Sequence, residues 1–202
     1  MAPIAEIGIE SVRERTPMTP FPAPNRLHVW WARRPLVAAR AAILASLLPA
    51  DADRERFLHA LGIHGDPVEA QKKMEKAKRT GIRVENPYGY DRAFSYSLSS
   101  TEQEWLDYEC KRSGINTPAK CLDPTAGGGS IPFEALRLGL QALGNDINPV
   151  ATLVEKLTAE IPFLYPDNVH AEYVRISRKF RLAIESKLSF LFPQEKAPDA
   201  LD

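Results

Sequence analysis

The sequence predicts an α/β protein: the first strands and helices of a nucleotide-binding type of fold, preceded by a mainly helical N-terminal module. Three observations predict it. Ala119 to Leu122 is a short apolar run that meets Asp123 and then a turn with three successive glycines, Gly127, Gly128 and Gly129. Ser130 and Pro132 open a helical pattern closed by Gly139, so the stretch reads as strand, tight loop, helix. A second strand-like run, Leu140 to Gly144, ends at Asn145-Asp146, about 20 residues beyond the loop, where an acid commonly grips ribose hydroxyls.

Glycine lets a backbone take positive φ and approach a ligand, and the helix start beyond it offers unpaired N–H groups. A phosphate is not the natural ligand of this loop. No Gly-Lys-Ser/Thr follows it, and the spacing misses Gly-x-Gly-x-x-Gly. Acids at two adjacent strand ends suit a positively charged, phosphate-free cofactor. Asp123 could accept from the amino group of S-adenosylmethionine, the helix start at Ser130 could face its carboxylate, and Asp146 could take the ribose diol.

Asp123 to Ala135, Asp-Pro-Thr-Ala-Gly-Gly-Gly-Ser-Ile-Pro-Phe-Glu-Ala, followed by Gly144 to Ala151, Gly-Asn-Asp-Ile-Asn-Pro-Val-Ala, resembles the first cofactor motif and second acidic site of class I S-adenosylmethionine-dependent methyltransferases. More narrowly it resembles the amino-group DNA methylases regarded as adenine-specific. Leu27-His28-Val29-Trp30-Trp31-Ala32-Arg33-Arg34-Pro35-Leu36 is similar to the N-terminal domain that precedes the methylase core there. The likeness covers residues 1–50 and 119–162. It implies a partial Rossmann-like methyltransferase core, with Asp123, Pro124, Ala126, Gly127, Gly128, Gly129, Ser130, Asp146 and Ile147 binding the cofactor. It also implies methyl transfer to the exocyclic amine of adenine in DNA, within restriction-modification or defence.

The domains expected are a helical module over residues 1–117, the start of the cofactor domain over 118–193 and a disordered tail over 194–202. Prolines 3, 17, 20, 22 and 24 predict an extended arm at the N-terminus. Pro35 then starts a helix to about Leu48, apolar on most sides and so buried. Trp30, Trp31, Arg33 and Arg34 are candidate cofactor or nucleic-acid contacts, since indoles stack on bases and guanidinium groups bind phosphate or carboxylate. The alternative is two core indoles with salt-bridged arginines.

Asp51 to Leu61 reads as a short helix, and Asp66-Pro67 opens another that runs to Thr80 with Gly81 after it. Asn86 to Ser100, rich in aromatics, reads as an ordered linker, with Asn86-Pro87-Tyr88 a turn. A helix from Ser100 to about Ser113 directs Trp105, Leu106 and Tyr108 inward. Asn148-Pro149 opens a helix packing Val150, Leu153, Val154 and Leu157 on the sheet until Pro162. The last helix, Ala171 to Leu191, sets an apolar stripe opposite Arg175, Arg178, Lys179 and Arg181, a possible phosphate contact beside the plainer reading of a solvated face.

Formal net charge is zero, so contact with nucleic acid requires a local patch. The two cysteines, Cys110 and Cys121, give no metal spacing with the four histidines and read as reduced thiols. No leader pattern or membrane-length run is legible, and the expected location is cytoplasmic. The chain has no Asp/Asn/Ser-Pro-Pro-aromatic tetrapeptide to hold the target amine, and only two strands are legible. The expectation is therefore the N-terminal portion of an enzyme, inactive alone, with DNA as its partner: a truncated product, one half of a split enzyme whose second polypeptide carries the rest of the catalytic domain, or a cofactor-binding remnant. The alternatives are a non-catalytic subunit that binds cofactor or DNA, and an RNA methyltransferase of the same fold.

Overall fold

The computed structural model describes residues 3–16, 21–166 and 168–191, and it divides into two units, one ending at Glu160 and one starting at Ile161. The protein is mixed α/β and mostly helical, with a small parallel sheet. The boundary anticipated at residue 117 falls inside the first unit. The tail over 194–202 lies outside the described residues.

The first unit begins with helix α1, Ile4–Arg15, where an extended arm was expected. The prolines flank this segment and none interrupts it, so nothing removes a donor from its interior. Two acids one turn apart on its inner side, Glu10 and Glu14, are buried. Each is fully engaged. Glu10 accepts from Arg13, from the Tyr90 hydroxyl at 2.8 Å and from Ala93 N. Glu14 accepts from Arg33 at 2.6 Å and from the backbone N–H groups of Leu36 and Val37.

Those two N–H groups open helix α3, Leu36–Leu47, after the short α2, Ala23–Leu27. Pro35 precedes α3 and has no side-chain acceptor, so Glu14 supplies the missing cap from another element. As the all-round apolar pattern predicts, α3 is the spine of the core, with Leu36, Val37, Ile43 and Leu44 inaccessible or nearly so. Helix α4, Arg54–Ala60, is capped by Asp53, and α5, Pro67–Thr80, by Asp66, with Gly81 at φ +70° ending it. Helix α6, Ser100–Arg112, starts from a capping box made by Ser99 and Glu102. Trp105 and Leu106 are buried as expected, whereas Tyr108 is exposed, because it lies off the inward stripe.

Strand β1, Lys120–Asp123, leads through the glycine loop to α7, Ser130–Arg137, and on to β2, Gln141–Gly144. The strands pair in parallel, Lys120 opposite Gln141 and Asp123 opposite Gly144. Cys121 and Ala142 turn towards the core, and their neighbours Leu122 and Leu143 face outward, 67% and 57% exposed. Helix α7 packs on α3 through a buried ion pair, Arg40 Nε to Glu134 Oε2 at 2.6 Å, while Arg40 also donates to the Ala60 and Tyr96 carbonyls. That contact joins the helical module to the sheet.

Helix α8, Pro149–Glu155, is capped by the Asn148 side chain and runs into a π-helical stretch, Lys156–Glu160. It buries Ala151 and Val154, but Val150, Leu153 and Leu157, expected on the sheet, are exposed. The departure from α geometry just precedes Pro162, which has no N–H to give to the Thr158 carbonyl.

The second unit contains α9, Ile161–Leu164, and α10, Asn168–Leu188, which begins three residues earlier than expected and is followed by a 3₁₀ turn, Ser189–Leu191. By itself it leaves Tyr173, Ile176 and Phe180 of the apolar stripe open. On the basic side Arg175 is paired with Glu172 and Arg181 with Glu185, as a solvated helix face would have them. Among the described residues no helix is long and apolar enough to cross a membrane.

Candidate functional site

The loop after β1 is tied to the end of β2. Thr125 N donates to Asp123 Oδ1 at 3.1 Å, Ala126 N to the Asn145 carbonyl at 3.0 Å, and Asn145 N to the Asp123 carbonyl at 2.9 Å. Gly127 and Gly129 have φ of +56° and +73°, a region that disfavours any side chain, and Gly129 immediately precedes α7. Gly128 lacks a positive φ, and its reason is contact. A Cβ there would lie 2.9 Å from Trp30 Cβ, and one on Gly127 would lie 2.9 Å from the Trp30 indole nitrogen. At Gly129 the neighbour is Glu155, whose Cγ would be 2.9 Å from a Cβ. The space freed by the glycines therefore admits two side chains of the protein itself, one from before α3 and one from α8.

Asp146 is half-buried and reaches back to the loop. Its Oδ2 accepts from Gly127 N and its Oδ1 from Asn148 N, both at 2.8 Å. These backbone donors, Asn148 first and Gly127 second, hold its carboxyl below the usual range. The acid thus locks the loop, and its carboxylate retains further lone pairs for a ligand. Ile147 beside it is fully exposed, Pro124 is exposed and Ala126 is half-buried. Ser130 is buried, and its hydroxyl donates to the Arg34 carbonyl at 2.9 Å.

Glu155 was not read from the sequence as a site residue. Its Oε1 is buried with no hydrogen-bond partner among the described residues. Burial, then the negative charges of Asp146 and Asp123, push its carboxyl up to about 7. The signal was faint: a single acid four residues after Ala151, on the buried side of an otherwise apolar helix.

The Trp-Trp-Ala-Arg-Arg-Pro segment forms a turn closed by Arg33 N donating to the Trp30 carbonyl at 3.0 Å. Its four candidate residues separate into two kinds. Trp30 is half-buried against the glycine loop, and Arg33 is buried on Glu14. Trp31 and Arg34 are exposed. Segments about a hundred residues apart are thereby joined through Trp30 and Gly128 and through Arg34 and Ser130.

Residues 1–79 match the family described as "Protein of unknown function (DUF1156)". The match takes in the tryptophan turn and helices α1 to α5 and stops before the glycine loop. No curated protein and no solved structure matches the chain.

Proposed function

We propose that this chain is the N-terminal portion of a DNA methyltransferase, binding S-adenosylmethionine at the glycine loop for transfer to the exocyclic amine of adenine. One observation carries the reading. The carboxylates of Asp123, Asp146 and Glu155 are near enough that the first two act on the third, and Glu155 has an acceptor atom without a donor among the described residues. From Asp123 to Ser130 and from Asn145 to Asn148 the chain has no cation. Such an acceptor set suits a ligand carrying ammonium and sulfonium groups and repels phosphate.

The fit assigns a task to each residue. Asp146, ordered by two backbone donors, would accept from the ribose hydroxyls, with Ile147 exposed beside it as an apolar surface for the adenine ring. Asp123 would accept from the amino group. The start of α7 beyond Ser130 would face the carboxylate. When bound, the cofactor supplies a methyl group activated by its sulfonium; the contribution of these residues is binding and orientation. Holding the target amine falls to an Asp/Asn/Ser-Pro-Pro-aromatic element outside these residues. A second reading, a binding subunit without turnover, draws on the side chains of Trp30 and Glu155 filling the space over the glycines.

Isothermal titration tests the cofactor claim. We expect heat with S-adenosylmethionine and about ten-fold or greater weakening in Asp146→Ala, the scale of a lost charge-assisted hydrogen bond. Equal heats for both proteins would remove Asp146 from the site, and no heat with either would remove the cofactor. A methyl-transfer assay of the chain alone, and mixed with a polypeptide carrying the tetrapeptide, then separates the two readings.

A further inference from the structure

Between Glu14 and Asp51 the sequence holds five arginines, Arg15, Arg26, Arg33, Arg34 and Arg40, and neither a carboxylate nor a lysine. Two are used inside the fold, Arg33 on Glu14 and Arg40 on Glu134. Arg15, Arg26 and Arg34 are exposed, and among the described residues none of them has an ion-pair partner. In a chain of zero net charge this is a local concentration of unneutralised guanidinium groups.

Trp31 belongs to this stretch of sequence and is 94% exposed. An indole gains much from burial, so a tryptophan left almost wholly in water is unusual. Its backbone lies in an anchored turn. Trp31 is the second residue of the turn closed by Arg33 N and the Trp30 carbonyl. Trp30 before it lies on the glycine loop, Arg33 after it is held in a buried ion pair, and Ser130 anchors the Arg34 carbonyl. The turn carries an exposed indole three residues before an exposed arginine that has no ion-pair partner among the described residues. A planar π face with a neighbouring guanidinium is the chemistry of an unpaired nucleobase and its phosphate.

We infer that Trp31 and Arg34 form a contact for single-stranded DNA, the indole stacking on an unpaired base and the guanidinium meeting the backbone phosphate. The choice of DNA rests on the function proposed above; the contact itself does not require cofactor binding. The same turn is fastened to the glycine loop through Trp30 and Ser130, so this contact and the proposed cofactor loop belong to one joined assembly.

The test uses the full chain and a short fluorescein-labelled oligodeoxynucleotide, read by anisotropy and by tryptophan emission. Binding should quench emission, and Trp31→Ala should weaken it about ten-fold or more, while Trp31→Phe keeps most of the affinity. Arg34→Ala should weaken binding and lower the slope of log affinity against log salt by about one. Unchanged thermal melting of the variants is expected from their exposure. Equal affinity of Trp31→Ala and the parent would overturn the contact, as would tighter binding of the matching RNA or full displacement by polyglutamate. Titration with S-adenosylmethionine runs in parallel. Oligonucleotide binding through Trp31 without cofactor heat would keep this contact and remove the cofactor reading; cofactor heat without oligonucleotide binding would do the reverse.

Discussion

The indole of Trp30 lies so close over Gly128 that a methyl group on that glycine would come 2.9 Å from Trp30 Cβ and 3.0 Å from Cγ. Neither atom can swing away as a flexible side-chain end would. Gly128→Ala should therefore cost about 1–3 kcal/mol, the usual range for overpacking. In a Trp30→Gly background, which removes both atoms, most of that cost should vanish, a non-additivity that urea unfolding of the single and double variants measures directly. Additive effects would mean that the indole is not what restricts position 128.

Arg33 and Arg34, adjacent and identical in type, should behave differently. Arg33→Ala leaves Glu14 buried with its charge uncompensated and should lose about 3–5 kcal/mol. Arg34→Ala removes an exposed side chain and should stay within about 0.5 kcal/mol. Chemical denaturation of the two single variants checks the contrast.

Glu155 sets a pH dependence. In the folded chain its carboxyl holds a proton up to about 7, while the unfolded chain releases it in the ordinary carboxylate range. The folded state binds more protons between those two values, so this group's contribution to stability falls as pH rises through that window and then levels off. Glu155→Gln should flatten that part of the profile and be the more stable protein at pH 8. Parallel profiles for the two proteins, from denaturant midpoints against pH, would refute the assignment.

What the sequence made legible was local. Asp66, Pro67 and Gly81 bracket α5 at the residues observed, since cap, first-turn proline and left-handed stop each act within a few positions. The two strands, the glycine turn and the acid at Asp146 were readable for the same reason. Helix α1 replaces the expected arm because its prolines lie at its borders and none falls within it. The role of Gly128 could not be read locally at all, because Trp30, its neighbour in space, lies 98 positions away in the chain. Arg33 was weighed with Arg34 for the same reason, since only the fold brings Glu14 to one of them. Glu155 was passed over because an acid within an apolar stripe ordinarily points to water.

The bare side of the two-stranded ribbon bears on handling. Leu122 and Leu143 sit opposite each other on it, uncovered by any described helix, in a pairing that proteins normally shield on both sides. Purified at high concentration, such a polypeptide should form clumps through that oily strip. Turbidity should grow with dose and recede when either leucine is exchanged for lysine, which makes that exchange a practical first step towards a well-behaved sample.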